Sequence, residues 1–129
     1  MEGKTAVRTE EAPAPFQGAP YSQAIQSGGF VFVSGQLALL PDHADIVGDS
    51  IQEQTEQVFA NLRAILEAAG SGLDRLVKTT VYLTDLGDFA GMNEVYARHV
   101  GDVPPARATI EISSLPSGAK VEIEAIATA

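Results

Sequence analysis

The chain has 129 residues, 45% of them hydrophobic and 19% charged, with 17 acidic side chains against 8 basic ones and no cysteine. That length supports one core and not two. A net charge of −9 argues against nucleic acid and against an anionic membrane surface, because both need a basic patch; the lack of cysteine rules out disulfides, thiolate nucleophiles and zinc–thiolate sites.

The start, Met1-Glu2-Gly3-Lys4, has no apolar stretch behind a basic one, and no run approaches membrane-spanning length. A cytoplasmic protein with one domain, residues 1–129, is therefore expected. Residues 1–18, with Glu10, Glu11, Pro13 and Pro15, read as an extended and partly mobile N-terminal segment in which Thr5 to Thr9 can form a short edge strand. Tyr21 to Gln26 alternates weakly and runs into Ser27-Gly28-Gly29, a hairpin signal. Phe30-Val31-Phe32-Val33 is apolar without alternation, as in a strand covered on both faces.

Leu37 to Asp49, with Pro41 and Gly48, reads as a loop. Ser50-Ile51-Gln52-Glu53 has capping-box spacing. Val58, Leu62, Ile65, Leu66 and Ala69 continue as the apolar stripe of a helix that Gly70-Ser71-Gly72 ends. Leu76 to Leu83 is rich in Val, Thr and Tyr and reads as a strand. Asp85 is placed to cap a second helix, on which Phe89, Met92, Tyr96 and Val100 fall three or four apart. Gly101 and Pro104-Pro105 terminate it.

Two alternating runs complete the chain. In the first, Ala108, Ile110 and Ile112 share one face, while Arg107, Thr109 and Glu111 share the other. In the second, Val121, Ile123 and Ala125 face the core, opposed by Glu122 and Glu124. Ser114 to Gly118 between them is turn chemistry. The order is β-β-β-α-β-α-β-β. Two helices cover only one face of such a sheet. The second cover that Phe30 to Val33 requires points to further copies of the chain in a symmetric oligomer.

Arg107 stands at the mouth of a strand, its approach fixed by two prolines. It can pair with one of the many carboxylates, or hold a substrate carboxylate in a bidentate fork. Glu122 is ordinarily a solvated strand position; in a cleft it can orient or activate water. A simple hairpin turning at Leu115 to Gly118 puts Glu122 opposite Glu111, about 13 Å from the level of Arg107, so the two meet across a subunit boundary, act on opposite ends of a ligand, or do not cooperate. Tyr21, Ser34 and Asn93 mean little singly. Ser34-Gly35-Gln36 is not a nucleophile elbow. His43 and His99 lack metal-ligand spacing, and neither glycine cluster has the pattern of a phosphate loop.

Taken together and in order, Ala19-Pro20-Tyr21-Ser22-Gln23-Ala24, Val33-Ser34-Gly35-Gln36, Val77 to Tyr82, Asp88-Phe89-Ala90 with Asn93, Pro105-Ala106-Arg107 and Val121 to Ala127 resemble the RidA/YjgF family of enamine/imine deaminases, from about Pro20 to Ala127. The resemblance implies an α+β, chorismate-mutase-like fold: a single mixed sheet of about six strands, two helices on one face, and a homotrimer with clefts between subunits. It implies hydrolysis of 2-aminoacrylate-type enamines and 2-imino acids to 2-oxo acids and ammonia, with no cofactor and no metal. It puts Arg107 at the substrate carboxylate and Glu122 at the attacking water, with Tyr21, Ser34, Asn93 and Thr109 lining the cleft.

Three positions depart from the family pattern. Thr109 stands where the deaminases usually carry cysteine, Ala19 replaces a glycine, and the 37–49 loop lacks the usual proline and glycine spacing. Three other readings stay open: a non-catalytic trimer that senses small carboxylates, a deaminase for a larger pathway-specific substrate, and a protein acting on nucleic acid. The charge speaks against the last.

Overall fold

Ser50 opens the longest element by a reciprocal cap. Its hydroxyl accepts from the Glu53 backbone N–H at 3.0 Å, and the Glu53 carboxylate accepts from the Ser50 N–H at 3.1 Å. Two backbone donors that the helix cannot satisfy are thereby used, and the bonds that the Glu53 carboxylate accepts from the Ser50 and Asp49 N–H groups hold it below its usual range. The computed structural model describes residues 3–129. Within them lie β1 (Thr5–Val7), β2 (Ala24–Ser27), β3 (Phe30–Gln36), α1 (Ile51–Ala68), β4 (Leu76–Leu83), α2 (Phe89–His99), β5 (Ala106–Glu111) and β6 (Val121–Thr128). This is the element order read from the sequence. Residues 1 and 2 of the expected N-terminal segment lie outside the described residues.

The strands form one mixed sheet in the order β1-β2-β3-β6-β4-β5, and both helices pack on one face of it. β2 and β3 join through Gly28 (φ 61) and Gly29 (φ 86), the pair of positive φ angles that a tight hairpin turn demands. β4 and β5 run parallel, with α2 as their crossover. β6 then returns antiparallel between β3 and β4.

A β5–β6 hairpin is therefore not what forms. The Leu115–Gly118 stretch makes a short 3-10 turn at Pro116–Gly118, and β4 separates the two C-terminal strands. The alternation correctly divides each strand into two faces; it does not say which strand lies next door. Asp85 also does less than expected. Its carboxylate accepts from the Gly87 N–H at 2.8 Å and caps a single 3-10 turn, Leu86–Asp88, ahead of the α-helix proper.

The core lies between the helices and the sheet. Val58, Phe59, Leu62, Ile65 and Leu66 of α1 are fully buried, as are Val81, Leu83, Val121 and Ile123 of the sheet. Burying each large side chain contributes about 1.5–3 kcal/mol. β3 is divided: Val31 and Val33 are buried, whereas Phe30 and Phe32 remain 41% and 43% exposed on the helix-free face. The expected double cover is thus present on one side only within the subunit.

Two buried amides hold the irregular segments. Asn61 of α1 donates to the carbonyls of Leu37 and Leu39 at 3.0 and 2.8 Å, fixing the 37–49 loop. Gln23 donates to the carbonyls of Thr9 and Pro13 at 3.1 and 2.8 Å and accepts from the Thr9 N–H, so the N-terminal segment is extended but tethered.

Candidate functional site

Arg107 is the register partner of Thr79, whose side chain is fully buried against α2. Side chains paired across a ladder share a face, so Arg107 projects towards α2 as well. There its Nη1 donates to Asn93 Oδ1 at 2.7 Å. Its Cζ lies 4.7 Å from the Tyr96 ring centroid and 5.5 Å from that of Phe89. Phe89, Asn93 and Tyr96 are spaced i, i+4, i+7 and form one stripe of the helix.

Among the described residues the ion pairs are Asp42–His43, Glu56–Arg98 and Glu56–His99, and none engages Arg107. The reading of Arg107 as a strand-end partner for an internal carboxylate therefore finds no support. Thr109, two positions on along the same face, has a buried hydroxyl without a hydrogen-bond partner. Leaving such a group unpaired costs about 1–3 kcal/mol.

Glu122 pairs with Tyr82 and lies on the opposite, helix-free face. Its carboxylate rests against Gly35: a Cβ placed there would meet Glu122 Cδ at 2.8 Å and Oε2 closer still. The close approach coincides with an irregularity in the β3–β6 ladder between Val33 and Gln36. Burial raises the Glu122 carboxyl above its ordinary range, and the nearby charge of Glu124 adds to that. Both favour the neutral form. Ser34, next to Gly35 in β3, donates its hydroxyl to the Ser22 carbonyl at 2.6 Å. Tyr21 is 43% exposed and its phenol oxygen accepts from the Phe16 N–H at 2.6 Å, which links it to the N-terminal segment.

The expected site residues thus fall into two groups on two faces. Arg107, Asn93 and Thr109 stand with α2; Glu122 and Ser34 stand on the helix-free side, with Tyr21 next to Ser22. Phe89, Tyr96 and Gly35 were not singled out from the sequence. The i, i+4, i+7 spacing was visible, but Phe89 and Tyr96 served there only as apolar core. His99 accounts for itself elsewhere: its Nε2 lies 2.8 Å from Glu56 and its ring stacks on Phe59 at 4.7 Å. Among the described residues no helix is long and apolar enough to cross a membrane.

A mixed six-stranded sheet with both helices on one face, an aromatic-cradled arginine at its rim and a half-buried carboxylate on the opposite face, defines a small single-sheet α+β protein. The chain belongs to the RidA/YjgF family, whose family model, described as Endoribonuclease L-PSP, matches residues 9–129. A RutC family protein of Pyrococcus horikoshii is 51% identical over 124 residues, covering 96% of this chain and 97% of the relative. Reactive Intermediate Deaminase A, chloroplastic, of Arabidopsis thaliana is 47% identical over 125 residues, covering 97% of this chain and 66% of that protein. Among solved structures, E. coli TdcF with bound serine aligns with a TM-score of 0.88 at 37% identity, covering 97% of this chain and 98% of that one.

Proposed function

We propose that this protein hydrolyses reactive enamines of the 2-aminoacrylate type and 2-imino acids to 2-oxo acids and ammonia in the cytoplasm, without a cofactor. In this reading it works as a homotrimer, each cleft combining the Arg107 group of one subunit with the Glu122 group of its neighbour. The observation that carries the proposal is the state of Arg107: oriented by Asn93 and Tyr96, paired with no carboxylate among the described residues, and beside an orphaned buried hydroxyl. The Arabidopsis deaminase and the serine bound to TdcF support the substrate class.

The chemistry asks little of the protein. An imine carbon is already electrophilic, so an anchored substrate, a placed water and a proton carrier suffice. Arg107 holds the substrate carboxylate through charge-assisted bonds. Glu122 orients the water and takes its proton as the oxygen adds to the C=N carbon. It then returns that proton to nitrogen, and the carbinolamine collapses to the 2-oxo acid and ammonia. A carboxyl raised by burial is suited to both proton transfers. Asn93, Thr109, Ser34 and Tyr21 line the cleft.

Assembly is supported by the apolar helix-free face, where Phe30, Phe32 and Ile110 are 41%, 43% and 44% exposed. The test generates 2-aminoacrylate or 2-iminobutyrate in situ and follows 2-oxo acid formation with and without the protein. A faster appearance is expected. Binding of 2-oxo acids with no acceleration would instead favour a carboxylate sensor, and acceleration confined to larger imines a pathway-specific deaminase.

A further inference from the structure

Stacking and hydrogen bonding make different demands on a guanidinium. An aromatic face uses the π surface of the group and leaves its in-plane N–H donors free, whereas a carboxylate consumes two of them. Arg107 is held in the first way. Tyr96 lies beneath Cζ at 4.7 Å, and one donor goes to Asn93. The remaining donors are left for a ligand.

Tyr96 is itself unusually well fixed. It is 5% exposed. Its hydroxyl lies 2.6 Å from Thr79 Oγ1 in a buried hydrogen bond. Phe59 meets its ring edge-on, at 5.4 Å between centroids and 82°. Thr79 is also the residue directly beside Arg107 in the β4–β5 ladder. The ring is therefore anchored to the backbone level from which Arg107 springs, and the distance between ring and guanidinium is set by the sheet rather than by a flexible loop.

We propose that Tyr96 is a positioning residue for the carboxylate clamp, holding the Arg107 guanidinium in ligand-ready orientation through its ring while Thr79 holds the ring. This rests on the role given to Arg107 above. It extends that role to two residues that touch no substrate and whose burial would otherwise mark them as core.

The test uses the intact protein with Tyr96→Leu, Tyr96→Phe and Thr79→Val. Steady-state imine hydrolysis gives kcat and KM, and calorimetric titration with 2-oxobutyrate gives Kd. Removing a partly buried cation–π contact should weaken binding by up to about tenfold. Tyr96→Leu is expected to raise KM and Kd together by that factor with much less change in kcat. Tyr96→Phe, which keeps the ring, should recover most of the loss. Thr79→Val should give a smaller rise in the same two constants.

A merely structural Tyr96 predicts otherwise: a lower melting temperature and less folded protein, with parental KM and Kd in what remains folded. That pattern overturns the proposal. Should Tyr96→Leu fail to fold, Thr79→Val decides, and parental KM and Kd in that variant overturn the proposal. If the parent shows no Arg107-dependent turnover or 2-oxobutyrate binding, the proposed function falls and the Tyr96 assignment with it. If the parent shows both and the Tyr96 and Thr79 variants are silent, only the assignment falls.

Discussion

Arg107 and Glu122 occupy opposite faces of one sheet, with β4 between their strands. Arg107 stands level with Thr79 and Ala125, Glu122 level with Tyr82. Two strand spacings and three residues separate them, about 14 Å before the side chains diverge. Within one subunit they cannot grip the same small molecule. If both act on one substrate, the site is shared between subunits.

That geometry predicts complementation. Arg107→Ala and Glu122→Gln proteins should each be nearly inactive alone. Unfolded together and reassembled at equal amounts, about a quarter of the interfaces would join an intact Arg107 to an intact Glu122, if subunits mix randomly around a closed ring. Imine hydrolysis should return to about that fraction of parental activity. No recovery in mixed assemblies verified by mass spectrometry would show that the two residues do not share a cleft.

Glu122→Gln alone should lower kcat/KM by about 10²-fold or more, the usual contribution of a general base. Its effect on stability has the opposite sign. Because burial raises the Glu122 carboxyl above the ordinary 4.5, the folded state holds a proton that the unfolded state has already released. Stability contributed by this group is therefore full below that ordinary value and declines as pH rises through the folded one. Glu122→Gln removes the decline, so the variant should melt higher than the parent at neutral pH and alongside it near pH 4. Thermal scans across that interval check the sign.

Gly35→Ala should separate the placement of Glu122 from its chemistry. The added methyl would occupy the space of the Glu122 carboxyl carbon, 2.8 Å from it, and push the side chain outward. Turnover should fall at least about tenfold, and the Glu122 carboxyl, re-exposed to water, should titrate closer to its ordinary range. Carbon-13 NMR of labelled glutamate reads that shift directly.

The order of all eight elements was legible from local signals: alternation in some strands and apolar or β-branched composition in others, the Ser50 cap, and the glycines after Ser27. What eluded the sequence is relational. Alternation put Arg107 and Glu111 on one face of β5, but only the parallel β4–β5 register shows that this face meets α2. Phe89 and Tyr96 satisfied the helical period expected of core residues, and a cradle for a cation has the same period. Gly35 was weighed only as part of a nucleophile elbow that Ser34-Gly35-Gln36 does not form, because a close approach by Glu122 leaves no mark on local pattern.

The family model's description as an endoribonuclease makes RNA a fair control. With 17 acidic and 8 basic residues, the chain has little with which to neutralise phosphates. Retention of RNA should be undetectable at physiological salt, and no cleavage should accompany the purified protein. Salt-sensitive binding at micromolar protein would contradict this.

The sharpest division concerns Arg107→Lys. A guanidinium that grips a carboxylate through two charge-assisted bonds gains about 1.5–3 kcal/mol from each. Lysine keeps the charge but loses the planar fork, the stack on Tyr96 and the fixed geometry to Asn93. The variant should therefore lose about 10²-fold or more in kcat/KM, and Arg107→Ala at least as much. Neither should disturb assembly, because the exposed Phe30 and Phe32 lie on the other face of the sheet. A structural Arg107 predicts the reverse: Arg107→Ala would loosen the fold while Arg107→Lys stayed nearly silent. Melting temperature, light scattering and imine hydrolysis on the two variants separate these outcomes, and parental hydrolysis by Arg107→Lys would end the carboxylate clamp.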